Sequence, residues 1–420
     1  MAGPTPLVNA VICYLGSSCT VELSGYYLQV GAVLKVLSGD DSCGMGAPAA
    51  TFVGITSPKE ATLAKPSSFE LGTPVLGGGT LTVNYTLCWG SRPDGLQSVF
   101  VGLLYFHGPY SDPTLVCTMG EPCILQISGV GLYTSGQPSW LLISLGAGSC
   151  GTSLASGVSW DGFVNPVPVK LTDAQSSDQV MASFGVPTSG VVGSAYSVCW
   201  RHVSSTEPED FAVQIESSFT LHGPELGAAA ICTLGRQCNI EIQGLGLDGT
   251  NTVLIIDMGA ACGSNLSIAA TIFASGNPAA SAPTPYDEYS FGTDTTGFPA
   301  TYRLCWAHGP INTTTVNDAQ SFLVTLGELT LHGPYRADYA CVFGKTCSIA
   351  LSGLGLTIQD KLAVVSVADT CGTLSPSFLS FTGVLQVNPL IPEQSGDNAG
   401  KVYQLGASGP SIATAGTPQL

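Results

Sequence analysis

Cysteine is the residue type with the most chemical consequence in this chain. Fifteen occur among 420 residues, and they fall into three recurring contexts. Cys-x5-Cys pairs stand at Cys13/Cys19, Cys117/Cys123, Cys232/Cys238 and Cys341/Cys347. A Cys-Gly follows each at Cys43, Cys150, Cys262 and Cys371, and a Tyr-x-x-Cys-Trp motif carries Cys88, Cys199 and Cys305. Fixed recurrence without any nearby Cys-x2-Cys reads as disulfides in an oxidising compartment rather than as zinc ligands. A glycine near the middle of each Cys-x5-Cys (Gly16, Gly120, Gly235, Gly344) fits a tight hairpin closed by its own bridge. The expected second set joins Cys88–Cys150, Cys199–Cys262 and Cys305–Cys371, one of three connectivities that four cysteines allow. On the chain-entropy model a loop of roughly 60 residues is worth about 4 kcal/mol and a hairpin bridge about 2 kcal/mol. This scheme leaves Cys43 unpaired, or bonded to a neighbour.

The other chemistry-bearing residues do not assemble. His107, His222 and His332 each open a His-Gly-Pro, yet none has a second donor at ligand spacing, and a metal needs three or four. They read as turn or strand-end histidines. Glu207, Glu209 and Asp210 cluster, as do Asp287 and Glu288, but neither cluster recurs, so a solvated surface is expected rather than a glycosidase pair. Gly244-Leu-Gly246 and Gly353-Leu-Gly355 lack the third glycine and following helix of a dinucleotide loop, and read as turns. No catalytic, cofactor-binding or metal residue is assigned. Three sequons, at Asn84, Asn265 and Asn312, are expected glycosylation sites, and covalent glycans with them. Trp89, Trp200 and Trp306 share a face with their motif's tyrosine and read as core. Trp140 and Trp160 are not repeated and are the better candidates for an exposed surface or an interface.

These residues sit in a repeat. The order Tyr-x-x-Cys-Trp, His-Gly-Pro, Cys-x5-Cys, Gly-x-Gly-Leu, Cys-Gly recurs about every 110 residues, a usual size for one β-sandwich. Alternation at period two places Phe211, Val213 and Ile215 on one face, as it does Phe322, Val324 and Leu326. Cys238, Ile240 and Ile242 alternate with Asn239, Glu241 and Gln243, as in a half-exposed antiparallel strand. The expected fold is all-β: tandem Ig-like β-sandwich domains with intradomain disulfides. The Pro/Ser/Ala stretches after Thr56, Asn165, Ser275 and Asn388 read as stiff connectors. They divide the chain into a partial repeat at 1–56, full repeats at 57–163, 164–274 and 275–384, and a partial repeat or tail at 385–420. In this division the first block lacks its Cys-Trp strand, and Tyr403-Gln-Leu-Gly406 matches the segment that precedes that strand elsewhere. The chain then starts and stops mid-domain. Either it is a window on a longer array, or the head of one subunit is completed by the tail of another.

The fullest run of the pattern is Tyr302 to Gly372, with Phe322-Leu-Val-Thr-Leu-Gly-Glu-Leu-Thr-Leu-His-Gly-Pro334, Cys341-Val-Phe-Gly-Lys-Thr-Cys347, Gly353-Leu-Gly-Leu356 and Cys371-Gly372. It resembles the tandem repeats of large extracellular proteins of dinoflagellates and related protists. The resemblance covers the three full blocks and both partial ones. It departs in the first block, which lacks the Cys-Trp strand, and at Phe106, where the other blocks have Leu. It implies a secreted or cell-surface structural protein of a microbial eukaryote, and it brings no catalytic residues.

Composition narrows the partners. Twelve Lys and Arg against a net charge of −17 cannot build a phosphate-tracking stripe, so nucleic acid is excluded as a partner. No apolar run reaches membrane-spanning length. Met1-Ala-Gly-Pro-Thr-Pro does not open as a secretory leader does, so an exporting segment is expected outside these residues. The expectation is a non-enzymatic structural subunit of an extracellular filament or cell-surface appendage, whose partners are copies of itself joined head-to-tail. The rival is a cell-surface adhesin or carbohydrate-binding ectodomain, which calls for an exposed aromatic or charged constellation repeated in each block.

Overall fold

The computed structural model describes residues 3–407 except 40, 45, 47, 63, 78, 80, 82–83, 93–96, 112–114, 135–136, 172–177, 194, 204, 206, 265–268, 274–275, 311–319, 343 and 373–387. Its regular structure is strand throughout, apart from one short 3-10 turn at Pro208–Asp210. No described helix is long and apolar enough to cross a membrane. The chain divides into two compact units, 1–222 and 223–420.

The N-terminal unit holds two sandwiches. In the first, one sheet runs in the order Val11–Tyr14, Val99–Pro109, Tyr85–Gly90, Val33–Ser38, Lys59–Glu60. The outer pair, Val11–Tyr14 on Val99–Pro109, is parallel, and the Cys-Trp strand pairs antiparallel on both its sides. The second layer pairs Cys19–Glu22 with Ser68–Gly72. Its alternating burial puts Val21, Phe69 and Leu71 inside. Phe106 packs against Phe52 at 4.1 Å and Tyr85 at 5.2 Å between ring centroids, and carries the core between the layers.

The second sandwich repeats this plan. Val116–Thr118 lies parallel on Val213–Pro224, followed by Tyr196–Arg201 and Trp140–Leu145. Cys123–Val130 pairs with Gln179–Gly185 in the other layer. The C-terminal unit holds a third copy, with Ala228–Thr233 parallel on Val324–Pro334, then Thr301–Ala307 and Thr252–Asp257. Its other layer pairs Gln237–Glu241 with Glu288–Thr293. A fourth, shorter assembly pairs Thr346–Ala350 with Val402–Ala407. The expected all-β, tandem Ig-like sandwich fold is the one observed. The tyrosine of the Cys-Trp strand adds an Ig-like corner: the Tyr196 hydroxyl donates to the Val191 carbonyl at 2.8 Å, and Tyr302 to Phe298 at 2.6 Å.

The expected boundaries are not observed. Strand pairs cross all four: Cys19–Glu22 with Ser68–Gly72 across 56/57, Cys123–Val130 with Gln179–Gly185 across 163/164, Gln237–Glu241 with Glu288–Thr293 across 274/275, and Thr346–Ala350 with Val402–Ala407 across 384/385. Each sandwich takes its first half from one block and its Cys-Trp and long strands from the next. The first block therefore has a Cys-Trp strand after all, Tyr85–Gly90.

The disulfides follow the same shift. Cys13–Cys19, Cys117–Cys123, Cys232–Cys238 and Cys341–Cys347 are bonded as expected, but in the three complete copies the two cysteines stand on strands of different sheets, so the bridge joins the layers and does not close a paired hairpin. The long bridges are Cys43–Cys88, Cys150–Cys199 and Cys262–Cys305, not Cys88–Cys150, Cys199–Cys262 and Cys305–Cys371. Cys43 is bonded, and the free thiol is Cys371. The reason is geometric. A bridge needs its Cα atoms about 6 Å apart, and each Cys-Gly segment lies beside the Cys-Trp strand that follows it in sequence.

Described parts of the proline-rich stretches add short edge strands to the sheets: Lys59–Glu60 on Val33–Ser38, Val167–Pro168 on Trp140–Leu145 and Ala279–Ala280 on Thr252–Asp257. Asn165, before Pro166, accepts from the Ile143 N–H at 3.0 Å and donates to the Ile143 carbonyl at 2.7 Å. Asn277 clamps Ile255 in the same way, both bonds at 2.9 Å, and Asn388 clamps Val364 at 3.0 and 2.6 Å. A side-chain amide thereby substitutes for a neighbouring strand, which satisfies a backbone pair that burial would otherwise leave costly.

Candidate functional site

One repeated histidine, His107, lies where the first sandwich passes into the second. In the N-terminal unit the long strand Val99–Pro109 belongs to the first sandwich up to His107. Its last residues, Gly108 and Pro109, pair with Val130 and Gly129 of the second. One strand thus passes from sandwich to sandwich without a linker. The Tyr110 N–H continues the pairing to the Ser128 carbonyl at 2.8 Å.

His107 closes this crossing. Its ring lies over Gly131, whose φ is +58°, and a Cβ built on Gly131 would stand 2.1 Å from His107 Nδ1. Only glycine combines that backbone angle with that approach. Asp178 Oδ1 accepts from the Gly131 N–H at 3.1 Å and holds the turn beneath the ring. The clasp recurs within the C-terminal unit, where a Cβ on Gly355, φ +65°, would stand 2.1 Å from His332 Nδ1. The carbonyls of His107, His222 and His332 accept from Leu15, Met119 and Leu234 at 2.9 Å each. The histidines are therefore strand-end groups, and for His107 and His332 the Gly-x-Gly-Leu turn is the seat.

Around His107 the first and second sandwiches meet through aromatic rings. Tyr14 stacks face to face on His202, with centroids 3.4 Å apart and planes within 6°. Its edge meets His107 at 5.6 Å and 82°. Burial, together with the neighbouring His107, lowers the His202 pKa to about 4. Burial also lowers that of His107, against the opposing pull of Asp178. Burial raises the Tyr14 hydroxyl above its ordinary value. Tyr14, His107 and His202 thus pack ring against ring across the junction of the two sandwiches.

The remaining candidates separate. Trp89, Trp200 and Trp306 are core. Trp160, expected at a surface, is only 9% exposed, packed by Phe163 at 4.7 Å and Tyr196 at 5.2 Å. Trp140 is half-buried against the cluster of Leu142, Cys199 and Phe211. Asp210 pairs with Ser205 and Arg201, which hold its carboxyl below the usual range, and Glu207 and Glu209 stand on the same exposed turn. Glu288 accepts from Asn239 at 2.7 Å across a strand pair, and the Asp287 carbonyl accepts from the Ile242 N–H at 2.7 Å. No group of three or more His, Cys, Asp or Glu able to hold a metal occurs among the described residues. Asn84 is exposed immediately before the strand Tyr85–Gly90, as a glycan requires. Asn265 and Asn312 lie outside the described residues. Sequence reasoning missed Tyr14, His202, Asp178 and the asparagine clamps. The recurrence of Asn-Pro at 165, 277 and 388 was the available signal for the last.

No family model matches this chain, and no curated protein does. Solved structures with some likeness include a crystal structure of Rst D1-D2, at 12% identity over 53% of this chain and 97% of that one, with a TM-score of 0.19. A marsupial T cell receptor aligns at 12% identity over 73% and 96%, TM-score 0.18. The plexin A4 extracellular region aligns at 11% identity over 73% and 32%, TM-score 0.20. At these scores the fold assignment rests on the strand order and disulfides above.

Proposed function

We propose that this chain is a non-enzymatic structural protein of the extracellular space, a subunit of a filament or cell-surface appendage that assembles head-to-tail and carries N-linked glycan at Asn84. The observation that supports this most is the crossing at His107. A strand shared by two sandwiches and clasped by His107 on Gly131 resists bending at the point where a flexible linker would allow it. Seven disulfides support an oxidising, extracytoplasmic setting. The acidic balance favours solubility over adhesion to anionic surfaces. Negative-stain electron microscopy of the oxidised, secreted chain tests the reading. Beaded polymers with a repeat of one chain are expected. Monodisperse single chains at every concentration, together with a specific hit on a glycan array, would replace it with the adhesin reading.

A further inference from the structure

The third sandwich buries three polar groups at one corner of its core. Asn251, Tyr289 and Trp306 are wholly buried, and Asn251 Nδ2, the Tyr289 hydroxyl and Trp306 Nε1 complete no hydrogen bond to any described residue. Buried donors of this kind are nearly always met in a folded protein. The three stand together. Val253 pairs with Trp306, which puts Asn251 diagonal to that ring on the same face. Ser281 ties in Tyr289: its N–H donates to the Asn251 carbonyl at 3.0 Å, and it bridges Tyr289. Burial pushes the Tyr289 hydroxyl up to about 12, opposed by the adjoining Trp306 nitrogen and reinforced by the charges of Asp248 and Asp287. The hydroxyl therefore stays protonated and can both donate and accept. The Asn251 amide oxygen is already used, because His308 Nδ1 stands 2.9 Å from it. An amide oxygen only accepts, so the imidazole donates and Nδ2 is the end of Asn251 left to serve.

The same corner of the first sandwich has the opposite chemistry. Leu34 on Trp89, Leu141 on Trp200 and Val253 on Trp306 set the register, so Ala32 and Ser139 occupy the place of Asn251. Phe69 on Val21, Ala182 on Leu125 and Tyr289 on Ile240 set it in the other layer. The first sandwich thus combines Ala32 with Phe69, and the third combines Asn251 with Tyr289. Amide and phenol are present together or replaced together by apolar groups, as two groups that serve one ligand would be. The second sandwich stands between them, with the buried Ser139 hydroxyl and Trp200 Nε1 also unpartnered among the described residues.

We infer that Asn251, Tyr289 and Trp306 form a binding site for one internal water molecule, which accepts from Asn251 Nδ2 and Trp306 Nε1 and donates to the Tyr289 oxygen. The donor set selects this ligand. A metal ion needs lone pairs, and neither the amide nitrogen nor the indole nitrogen offers one. An anion would be buried near the Asp248 and Asp287 charges that already act on Tyr289. Water is neutral, and it both accepts and donates. Trp306 belongs to Thr301–Ala307 in one layer, Asn251 leads into Thr252–Asp257 beside it, and Tyr289 belongs to Glu288–Thr293 in the other layer. The water therefore links the two layers where the first sandwich relies on apolar contact alone.

A high-resolution crystal structure of the full chain tests the site directly. One well-ordered water within hydrogen-bond distance of all three groups is expected. In solution, the Trp306 indole N–H should show a nuclear Overhauser contact to a long-lived water. Asn251→Ala combined with Tyr289→Phe installs the residues of the first sandwich and should remove both signals. In thermal unfolding each single substitution should lower the midpoint by about 3 °C, and the double by clearly less than the two shifts together, because both groups serve the same water. A direct Trp306–Tyr289 hydrogen bond with no water between them, a corner without ordered water, or single shifts that simply add in the double variant overturns the inference. Should the double variant fail to fold, the crystal and Overhauser measurements on the unaltered chain still decide between these outcomes.

Discussion

The two sandwiches of the N-terminal unit follow one plan but solve two local problems differently. At the turn after the Cys-x5-Cys bridge, the second sandwich has Gly131 at φ +58° beneath the His107 ring. The first has Tyr27 at φ +55°, 83% exposed. At the strand clamp the second uses Asn165, with bonds of 3.0 and 2.7 Å to Ile143, and the first uses Ser57, with bonds of 2.8 and 3.3 Å to Val36. The backbone path is kept in both cases. The residue before the opening Gly-Pro explains the turn: it is His107 in the second sandwich and Ala2 in the first. Glycine is demanded by the ring above it and not by the turn alone, since a tyrosine can hold the same left-handed angle at an exposed site for about 1 kcal/mol.

Moving the first sandwich's residue into the second breaks the comparison most severely. Gly131→Tyr forces a side chain into the His107 ring, and a loss of about 3 kcal/mol is expected in urea unfolding of the full chain. Adding His107→Ala should recover most of that loss if the clasp is its cause. A double mutant no more stable than Gly131→Tyr would falsify the pairing of ring and glycine.

Acid probes the same junction. The folded pKa of His202 is depressed to about 4 from an ordinary 6.5. Between those values the unfolded chain binds more protons than the folded one, so stability rises with pH there. The contribution is complete above pH 6.5 and is lost as pH falls toward 4. The unfolding midpoint of the N-terminal unit should drop across that window, and His202→Phe, which keeps a ring on Tyr14, should flatten the drop. An unchanged slope in His202→Phe would assign the acid sensitivity elsewhere.

The clamps give smaller effects. Asn165→Ala leaves the N–H of buried Ile143 without its acceptor while the carbonyl keeps the Val158 N–H at 3.0 Å, and about 2 kcal/mol should be lost. Ser57→Ala removes one hydroxyl with one short and one long bond, and about 1 kcal/mol is expected. Equal losses would erase the difference between the clamps. Smallest of all, Tyr27→Gly relieves a left-handed tyrosine at an exposed site, and a gain of no more than about 1 kcal/mol should appear in the same unfolding assay.

Much of the fold was legible residue by residue. Alternation of Cys238, Ile240 and Ile242 with Asn239, Glu241 and Gln243 marks a half-buried strand, and those six side chains divide inside and outside as the pattern requires. The short Cys-x5-Cys bridges follow from six-residue separation around a glycine, although the strands they join lie in different sheets and do not form a hairpin. The junction was less legible. Tyr14 and His202 are 188 positions apart, and neither is part of the recurring motif, so nothing local announces their stack. The proline-rich stretches misled because Asn-Pro is also what an exposed connector looks like. Only the partner strand shows that Asn165 faces Ile143.

The amino-acid sequence by itself determined the unit: its length, its strand periodicity, its buried Trp89, Trp200 and Trp306, and the cysteines available to it. It could not determine where a unit begins, because a periodic pattern has no origin and any rotation of it repeats equally well. Tertiary structure decided that phase. Cys43 meets Cys88, and Cys150 meets Cys199, because each Cys-Gly segment packs beside the Cys-Trp strand that follows it, and two sheets close a core only in that pairing. The shift moved the odd cysteine from Cys43 to Cys371.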